Sequence, residues 1–333
     1  MTTTRICLIA ASQDVVTANG QNCSNGSTTD LQNNVNILYT SLFFVSLLVS
    51  LPTFLLTSYQ YCKKAATSFE YSEGIFVIIP SALLLVSFVE SFQWVFQFTG
   101  HDTDQTACQL LAVCREYVFV TLIFTTACTG VQLCLLVRQP KWLMVIDELK
   151  RKRHRSILMM YAMVTFVLPL VFLPWPLMSH GYGRNDYICY IITYQPHNQA
   201  LIEQLLLWYG WAYLVWFFTV LVMLLVLRTV RCNNVKNLSP NSVTLLSIMV
   251  VFFLGILMNT AGFVMDAALT PIHVYCEYPW LIYSEAICTP LPTIATSLIL
   301  LLRIYKKSQL TARRKTKRHI SCHENERSRL VHD

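Results

Sequence analysis

Apolar residues in this chain are grouped into long runs rather than spaced at the intervals of an amphipathic helix or strand. Seven such runs follow a polar beginning, and each reaches the roughly 20 residues that a helix needs to cross a bilayer. They lie at approximately residues 37–61, 74–99, 106–138, 156–179, 203–228, 242–269 and 279–302. The pattern therefore predicts an all-α membrane protein, a bundle of seven transmembrane helices.

Composition supports the same conclusion and excludes other classes. Only 13% of the 333 residues are charged and 54% are hydrophobic, whereas a soluble domain carries roughly 25% charged residues. The sequence has no glycine-rich phosphate loop, no G-x-S-x-G or H-E-x-x-H motif and no C-x-x-C pair. We therefore expect neither an enzyme nor a cofactor, a metal site or a nucleic-acid partner.

The orientation follows from the basic residues, because positively charged short links are retained in the cytoplasm. With the amino terminus outside, almost all of the 25 Lys and Arg residues fall in cytoplasmic links and in the carboxy-terminal segment. Residues 1–36 then form a disordered extracellular tail, and residues 37–302 form the helical domain. Residues 303–333 are predicted to be a basic cytoplasmic tail, in which 302–310 can form a short amphipathic helix.

Two features of the outer side fit this orientation. Asn22 and Asn25 each begin an N-x-Ser sequon, so both are expected to be glycosylated. Cys108, at the start of the third apolar run, and Cys189, in the link after the fourth, face the oxidising compartment, where a disulfide can persist. The alternative is two free thiols. Cys23 and Cys276 are a second candidate pair.

Together, the seven runs, the outer tail, the basic inner links and the Cys108–Cys189 pair resemble a G-protein-coupled receptor over residues 37 to about 310. Within that superfamily, two features are similar to the cyclic-AMP-receptor-like group and its secretin and adhesion relatives. One is Cys189-Tyr190 followed by an aromatic fifth segment. The other is the seventh-segment sequence Pro290-Leu291-Pro292-Thr293-Ile294.

The chain departs from the large rhodopsin-like class at three motifs. Gln132-Leu133-Cys134 stands where that class has Asp-Arg-Tyr, the sixth segment lacks Cys-Trp-x-Pro, and the seventh lacks Asn-Pro-x-x-Tyr. The resemblance nevertheless implies a receptor of the plasma membrane that binds an extracellular ligand between its helices. It also implies a heterotrimeric G protein as the cytoplasmic partner.

Arg115 is the central residue of the predicted ligand pocket. It follows Cys108 by two helical turns, so the two residues share an inward-facing stripe. Charges inside a membrane face the bundle interior or a wet cavity. Four acidic residues and one tryptophan lie at comparable depth: Glu90, Glu116, Asp266, Glu285 and Trp208.

Two interpretations of this group remain open. One is a polar ligand pocket, with Glu90 as the counter-ion of Arg115, and the other is a salt-bridge network that only fixes helix packing. Acidic residues outnumber basic ones on the outer side, which favours a cationic ligand, and the alternative is ordinary solubilising charge on short links. No large folded domain is expected before the first helix, which favours a small molecule or short peptide as the ligand.

Basic residues on the inner side suggest two partners. Clusters close to a membrane attract anionic lipids of the inner leaflet, and a G protein can dock on the same surface. The candidate residues are Arg138, Lys150, Arg151, Lys152 and Arg153. The alternative is that these charges only set the topology. Cys322 is a candidate for palmitoylation.

Two other functions remain alternatives to a receptor. A transporter or channel would use the intramembrane charges as a path, although transporters commonly contain internal repeats and the two halves of this chain show none. A seven-helix scaffold or trafficking protein would need no G protein, and the absent Asp-Arg-Tyr motif is compatible with it.

Overall fold

The computed structural model of the protein describes residues 25–65, 74–98, 105–138, 156–174, 182–185, 188–191, 210–232, 239–268 and 287–309. Within these ranges the chain forms seven helices and one β-hairpin. The first four helices are α1 (Asn25–Ala65), α2 (Ile75–Phe98), α3 (Gln105–Arg138) and α4 (Ser156–Phe172). The other three are α5 (Gly210–Cys232), α6 (Pro240–Ala268) and α7 (291–309).

Three of the described helices are long and apolar enough to cross a membrane. The spans are Ile37–Lys63 in α1, Ile75–Phe92 in α2 and Thr106–Val137 in α3. Shorter apolar stretches occupy Ser156–Phe172, Tyr213–Thr229 and Pro240–Gly255. The described part of the chain is therefore a predominantly helical protein with helices suited to a membrane.

The buried face of α1 is a narrow seam whose members alternate at intervals of three and four residues. They are Tyr39, Phe43, Ser46, Ser50, Thr53 and Thr57. Large apolar side chains such as Phe44, Leu48 and Leu55 are exposed on the other faces. This distribution of polar and apolar side chains is the opposite of that in a helix of a water-soluble protein. Small polar residues are typical of contacts between membrane helices.

A hydrophobic core formed by described residues joins the remaining helices. Each of α2 to α7 contributes at least one buried side chain to it, for example Ile79, Leu133, Tyr161, Val222, Met249 and Leu300. Helix α3 is central, because it packs against α2, α4, α5 and α6. The residues carried by α3 are therefore the ones that contact most of the bundle.

The fourth helix changes its hydrogen-bonding pattern along its length. Met163–Val167 is π-helical and Leu168–Phe172 is a 3-10 helix. Pro169 is the cause, since it lacks the N–H that a regular helix would use and its ring crowds the preceding turn. The carbonyl of Phe166 instead accepts a hydrogen bond from the Tyr117 hydroxyl at 2.8 Å, which holds the irregular segment against α3.

A β-hairpin lies between α4 and α5, where the sequence predicted only a link. Tyr182–Asn185 (β1) pairs antiparallel with Ile188–Ile191 (β2), and Arg184 is opposite Cys189. Two residues separate the strands in the sequence, a length typical of tight hairpins. The hairpin packs against α3.

Serine and proline define the starts of the last two helices. The Ser239 hydroxyl accepts a hydrogen bond from the Ser242 backbone N–H at 3.1 Å, so Ser239 caps α6, and Pro240 occupies the first helical position. The Pro290 carbonyl accepts the backbone N–H groups of Thr293 and Ile294, each at 3.1 Å. Proline needs no donor in a first turn, which explains the start of α7.

Two sequence-based boundaries differ from the structure. Helix α1 begins at Asn25, so residues 25–36 are helical rather than part of a disordered tail. Each residue added to an existing helix gains a hydrogen bond, and no proline precedes Pro52 in α1 to stop it. Residues 303–309 continue α7 without a break, so they are not a separate amphipathic helix.

Candidate functional site

An ion pair buried between α2 and α3 is the centre of the candidate site. Arg115 Nε donates a hydrogen bond to Glu90 Oε1 at 2.9 Å. The side chains of Arg115 and Glu90 are only 3% and 0% exposed. The expected pairing of these two residues is therefore present, and protein rather than solvent surrounds it.

Tyr39 of α1 completes a closed network with this pair. Its hydroxyl donates to Glu90 Oε2 and accepts from Arg115 Nη2, each at 3.3 Å. Each of the three side chains thus contacts the other two. The network joins the early part of α1, the late part of α2 and the early part of α3, so it fixes the relative height of three helices.

Aromatic rings lie close to the network. The Arg115 guanidinium carbon lies 5.6 Å from the centre of the Phe119 ring, within the range of a cation–π contact. The Tyr39 and Phe43 rings are 4.7 Å apart. Apolar walls weaken dielectric screening, so the attraction between Arg115 and Glu90 is stronger here than it would be in water.

A second buried carboxyl group adjoins Arg115 in the sequence of α3. Glu116 follows Arg115 in α3 and is 1% exposed. Glu90, Arg115 and Glu116 carry two negative charges and one positive charge if all three are ionised, which makes this part of the bundle net negative. Such a site attracts cationic groups.

No protein-family model and no characterised protein matches this sequence.

The other predicted pocket residues lie beyond what the structure describes. Asp266 belongs to α6, but its side chain is outside the described set, and both Glu285 and Trp208 fall in undescribed segments. Arg115, Glu90 and Glu116 are thus the predicted members with a described environment. Their role as ligand contacts stays a prediction.

Sequence reasoning missed Tyr39, because a tyrosine near the end of an apolar run is typical of a membrane interface. A signal was nevertheless present in the spacing of α1. Tyr39 and Phe43 continue the series of Ser46, Ser50 and Thr53 at intervals of three and four residues, the periodicity of one helical face. Extending the hydroxyl series toward the amino terminus identifies Tyr39 as inward-facing.

Cys108 is buried and disulfide-bonded. Five other cysteines with described side chains are not disulfide-bonded, namely Cys62, Cys114, Cys128, Cys134 and Cys288. Strand β2 contains Cys189 and packs against α3, but the Cys189 side chain is not among those described. The pairing of Cys108 with Cys189 therefore stays a prediction.

A second polar cluster joins three helix ends at the other side of the bundle. The Arg303 guanidinium of α7 lies 3.5 Å from the centre of the Phe76 ring at the start of α2. Arg303 also donates to Asn241 Oδ1 at the start of α6, from Nη2 at 2.9 Å and from Nε at 3.3 Å. We call these three residues the Arg303 clasp.

The remaining predicted sites fall outside the described side chains. For glycosylation these are Asn22 and Asn25, although Asn25 is the first residue of α1. For the inner surface they are Arg138, Lys150, Arg151, Lys152 and Arg153, of which Arg138 is the last residue of α3. Within the described part of the chain, no three His, Cys, Asp or Glu side chains are grouped as a metal site.

Proposed function

We propose that the protein is a receptor of the plasma membrane that binds an extracellular ligand within its helical bundle and activates a heterotrimeric G protein. The observation that carries this proposal is the buried network of Arg115, Glu90 and Tyr39. An ionisable pair placed inside a bundle of apolar helices is costly and typically marks a functional site.

In this proposal all seven helices cross the membrane, with the amino terminus outside and the basic tail inside. The support is the distribution of Lys and Arg along the sequence together with the exposed apolar side chains on α1, α4 and α5. Glycosylation of Asn22 and Asn25 and a Cys108–Cys189 bridge belong to the same proposal. Both would lie on the extracellular side.

The proposed ligand is a cationic small molecule or short peptide that interacts with Glu90, Glu116 and Arg115 from the outer side. A cationic group near Glu90 competes with Arg115 for the same carboxylate. The ligand can shift the helices only if it binds one arrangement of this network better than the other. The network links α1, α2 and α3, so a change in it alters how these helices meet.

The first test measures G-protein activation without a known ligand. Cells expressing the chain at the surface are compared with control cells for dissociation of each class of heterotrimeric G protein. We expect one class to dissociate above the control level. Replacing Lys150, Arg151, Lys152 and Arg153 with Gln should abolish the effect, because these residues belong to the proposed docking surface.

A matched control separates coupling from membrane insertion. Lys63→Gln combined with Lys64→Gln also removes inner charge, but from the first link, and it should preserve dissociation at equal surface levels. Absence of dissociation for every class, despite normal surface expression, would contradict the receptor proposal and favour a scaffold or a transporter.

A further inference from the structure

A column of buried hydroxyl groups runs between α1, α2 and α7. Ser46, Ser50 and Thr53 of α1 are fully buried. Ser46 shares a hydrogen bond with Ser87 of α2, with their Oγ atoms 2.7 Å apart. Thr53 Oγ1 lies 3.5 Å from the carbonyl oxygen of Ser297 in α7. The column therefore extends across the contact between α1 and α7.

Several hydroxyls of the column are satisfied within their own helices. Thr53, Thr57 and Ser87 each donate to the carbonyl four residues earlier, at 2.6, 2.8 and 2.8 Å. This is the usual way in which a helix accommodates a buried serine or threonine. These groups need no additional partner.

Thr296 and Ser297 of α7 differ from them. Both residues are fully buried, and neither side-chain oxygen makes a hydrogen bond to protein. A buried hydroxyl without a partner carries a large desolvation penalty, and buried polar groups are nearly always bonded to protein or to ordered water. Two unsatisfied hydroxyls on consecutive residues of one buried helix indicate water as their partner.

We propose that at least one ordered water molecule binds beside the contact between α1 and α7, held by the hydroxyls of Thr296 and Ser297. Water fits because it can donate to one hydroxyl and accept from the other, which gives two of the two to four partners typical of a buried water. The described members of the column are neutral, so a neutral ligand suits them. This inference is independent of the proposed signalling function.

The test measures whether the Tm of two variants, purified in lipid nanodiscs, is lower or higher than that of the wild type. Thr296→Val, which preserves shape, and Ser297→Ala each remove one partner of the water, so the Tm should fall by about 2 °C or more. If no water were bound to the two hydroxyls, replacing them with apolar groups would remove their desolvation penalty, and the Tm would not fall. An unchanged or raised Tm for both variants would therefore overturn the proposal.

The matched control is Thr125→Val in α3. The Thr125 hydroxyl is also fully buried but donates to the Thr121 carbonyl at 2.7 Å. Its removal should lower the Tm, which shows that the assay detects the loss of one buried hydroxyl bond. An experimental structure of the wild-type chain, at a resolution that reveals ordered water, should show density within hydrogen-bonding distance of Ser297 Oγ. Density for protein atoms alone would refute the water site even if a variant failed to fold.

Discussion

The side chain of Arg115 illustrates how this chain accommodates a charge in an apolar environment. Its charge is opposed by Glu90 at 2.9 Å, one guanidinium nitrogen is bonded to Tyr39, and the guanidinium lies near the Phe119 ring. Desolvation of two charges is repaid only when geometry and extra hydrogen bonds are favourable. The network of three residues meets that condition. Removing one charged member should therefore destabilise the protein more than replacing both charged residues with apolar ones.

Glu90→Gln tests this expectation, because it keeps the shape of the side chain and removes the counter-charge of Arg115. We expect the stability to fall by about 3 kcal/mol, since the guanidinium stays buried and loses its ion pair with Glu90. Thermal unfolding of the purified variant in nanodiscs measures the loss. Tyr39→Phe removes only the neutral hydroxyl and should cost about 1 kcal/mol.

The apolar double variant Glu90→Leu with Arg115→Met serves as the control for this prediction. It removes both charges, and its stability should be close to that of the wild type, since apolar residues of similar volume commonly replace a buried ion pair without loss. A double variant that is less stable than Glu90→Gln would contradict the account of the pair.

At the scale of the helices, some close contacts between neighbouring helices depend on glycine, which has no Cβ atom. A Cβ atom added at Gly255 in α6 would lie 2.5 Å from Pro292 Cγ in α7. The proline ring cannot rotate away, because it is closed onto its own backbone. Gly74, at the start of α2, is also close to a neighbour, at 2.8 Å from Leu158 Cδ1, but a leucine can change rotamer.

Gly255→Ala and Gly74→Ala therefore form a matched pair of variants. Alanine favours a helix over glycine by up to about 1 kcal/mol, but forcing α6 and α7 apart costs about 1 to 3 kcal/mol. We expect a lower Tm for Gly255→Ala and a smaller change for Gly74→Ala. Equal effects in the two variants would indicate that α6 and α7 can separate freely at this point.

At the scale of the whole molecule, two polar clusters that each contain an arginine lie toward opposite ends of the bundle. The network around Arg115 joins α1, α2 and α3 at one end, and the Arg303 clasp joins α2, α6 and α7 at the other. Helix α2 takes part in both, through Glu90 near one end and Phe76 near the other. It is therefore the element that connects the two clusters.

Cys62 offers a direct test of the proposed orientation. It is a free, exposed thiol near the end of α1, next to Lys63, and should face the cytoplasm if the amino terminus is outside. A membrane-impermeant maleimide should therefore modify the Cys62 peptide only in permeabilised cells, as measured by mass spectrometry. Cys62→Ser identifies the peptide. Modification of Cys62 in intact cells would contradict the proposed orientation and indicate that the amino terminus faces the cytoplasm.

The sequence predicts the membrane-length helices well, because length and apolar content define them. The predicted run 106–138 and the observed Gln105–Arg138 nearly coincide. Helix α7 continues past residue 302, where the apolar run ends, because contacts of Arg303 with Asn241 and Phe76 stabilise further helix. Such contacts join residues distant in sequence, so local pattern does not reveal them.

The candidate site was predictable only in part. Glu90 and Arg115 stand out as charges within apolar runs, which is a local signal. Tyr39 depends on the rotation of α1 about its axis, and the β-hairpin depends on pairing of two short segments. Neither is fixed by composition alone.

The pairing of Glu90 with Arg115 also has a consequence for biosynthesis. The two residues are 25 positions apart, and the ribosome adds residues from the amino terminus, so α2 is complete before Arg115 leaves the ribosome. A carboxylate entering lipid alone would be strongly disfavoured. Helices α2 and α3 should therefore leave the insertion machinery as a pair. Because α2 is made first, it should enter the lipid only after α3 has arrived.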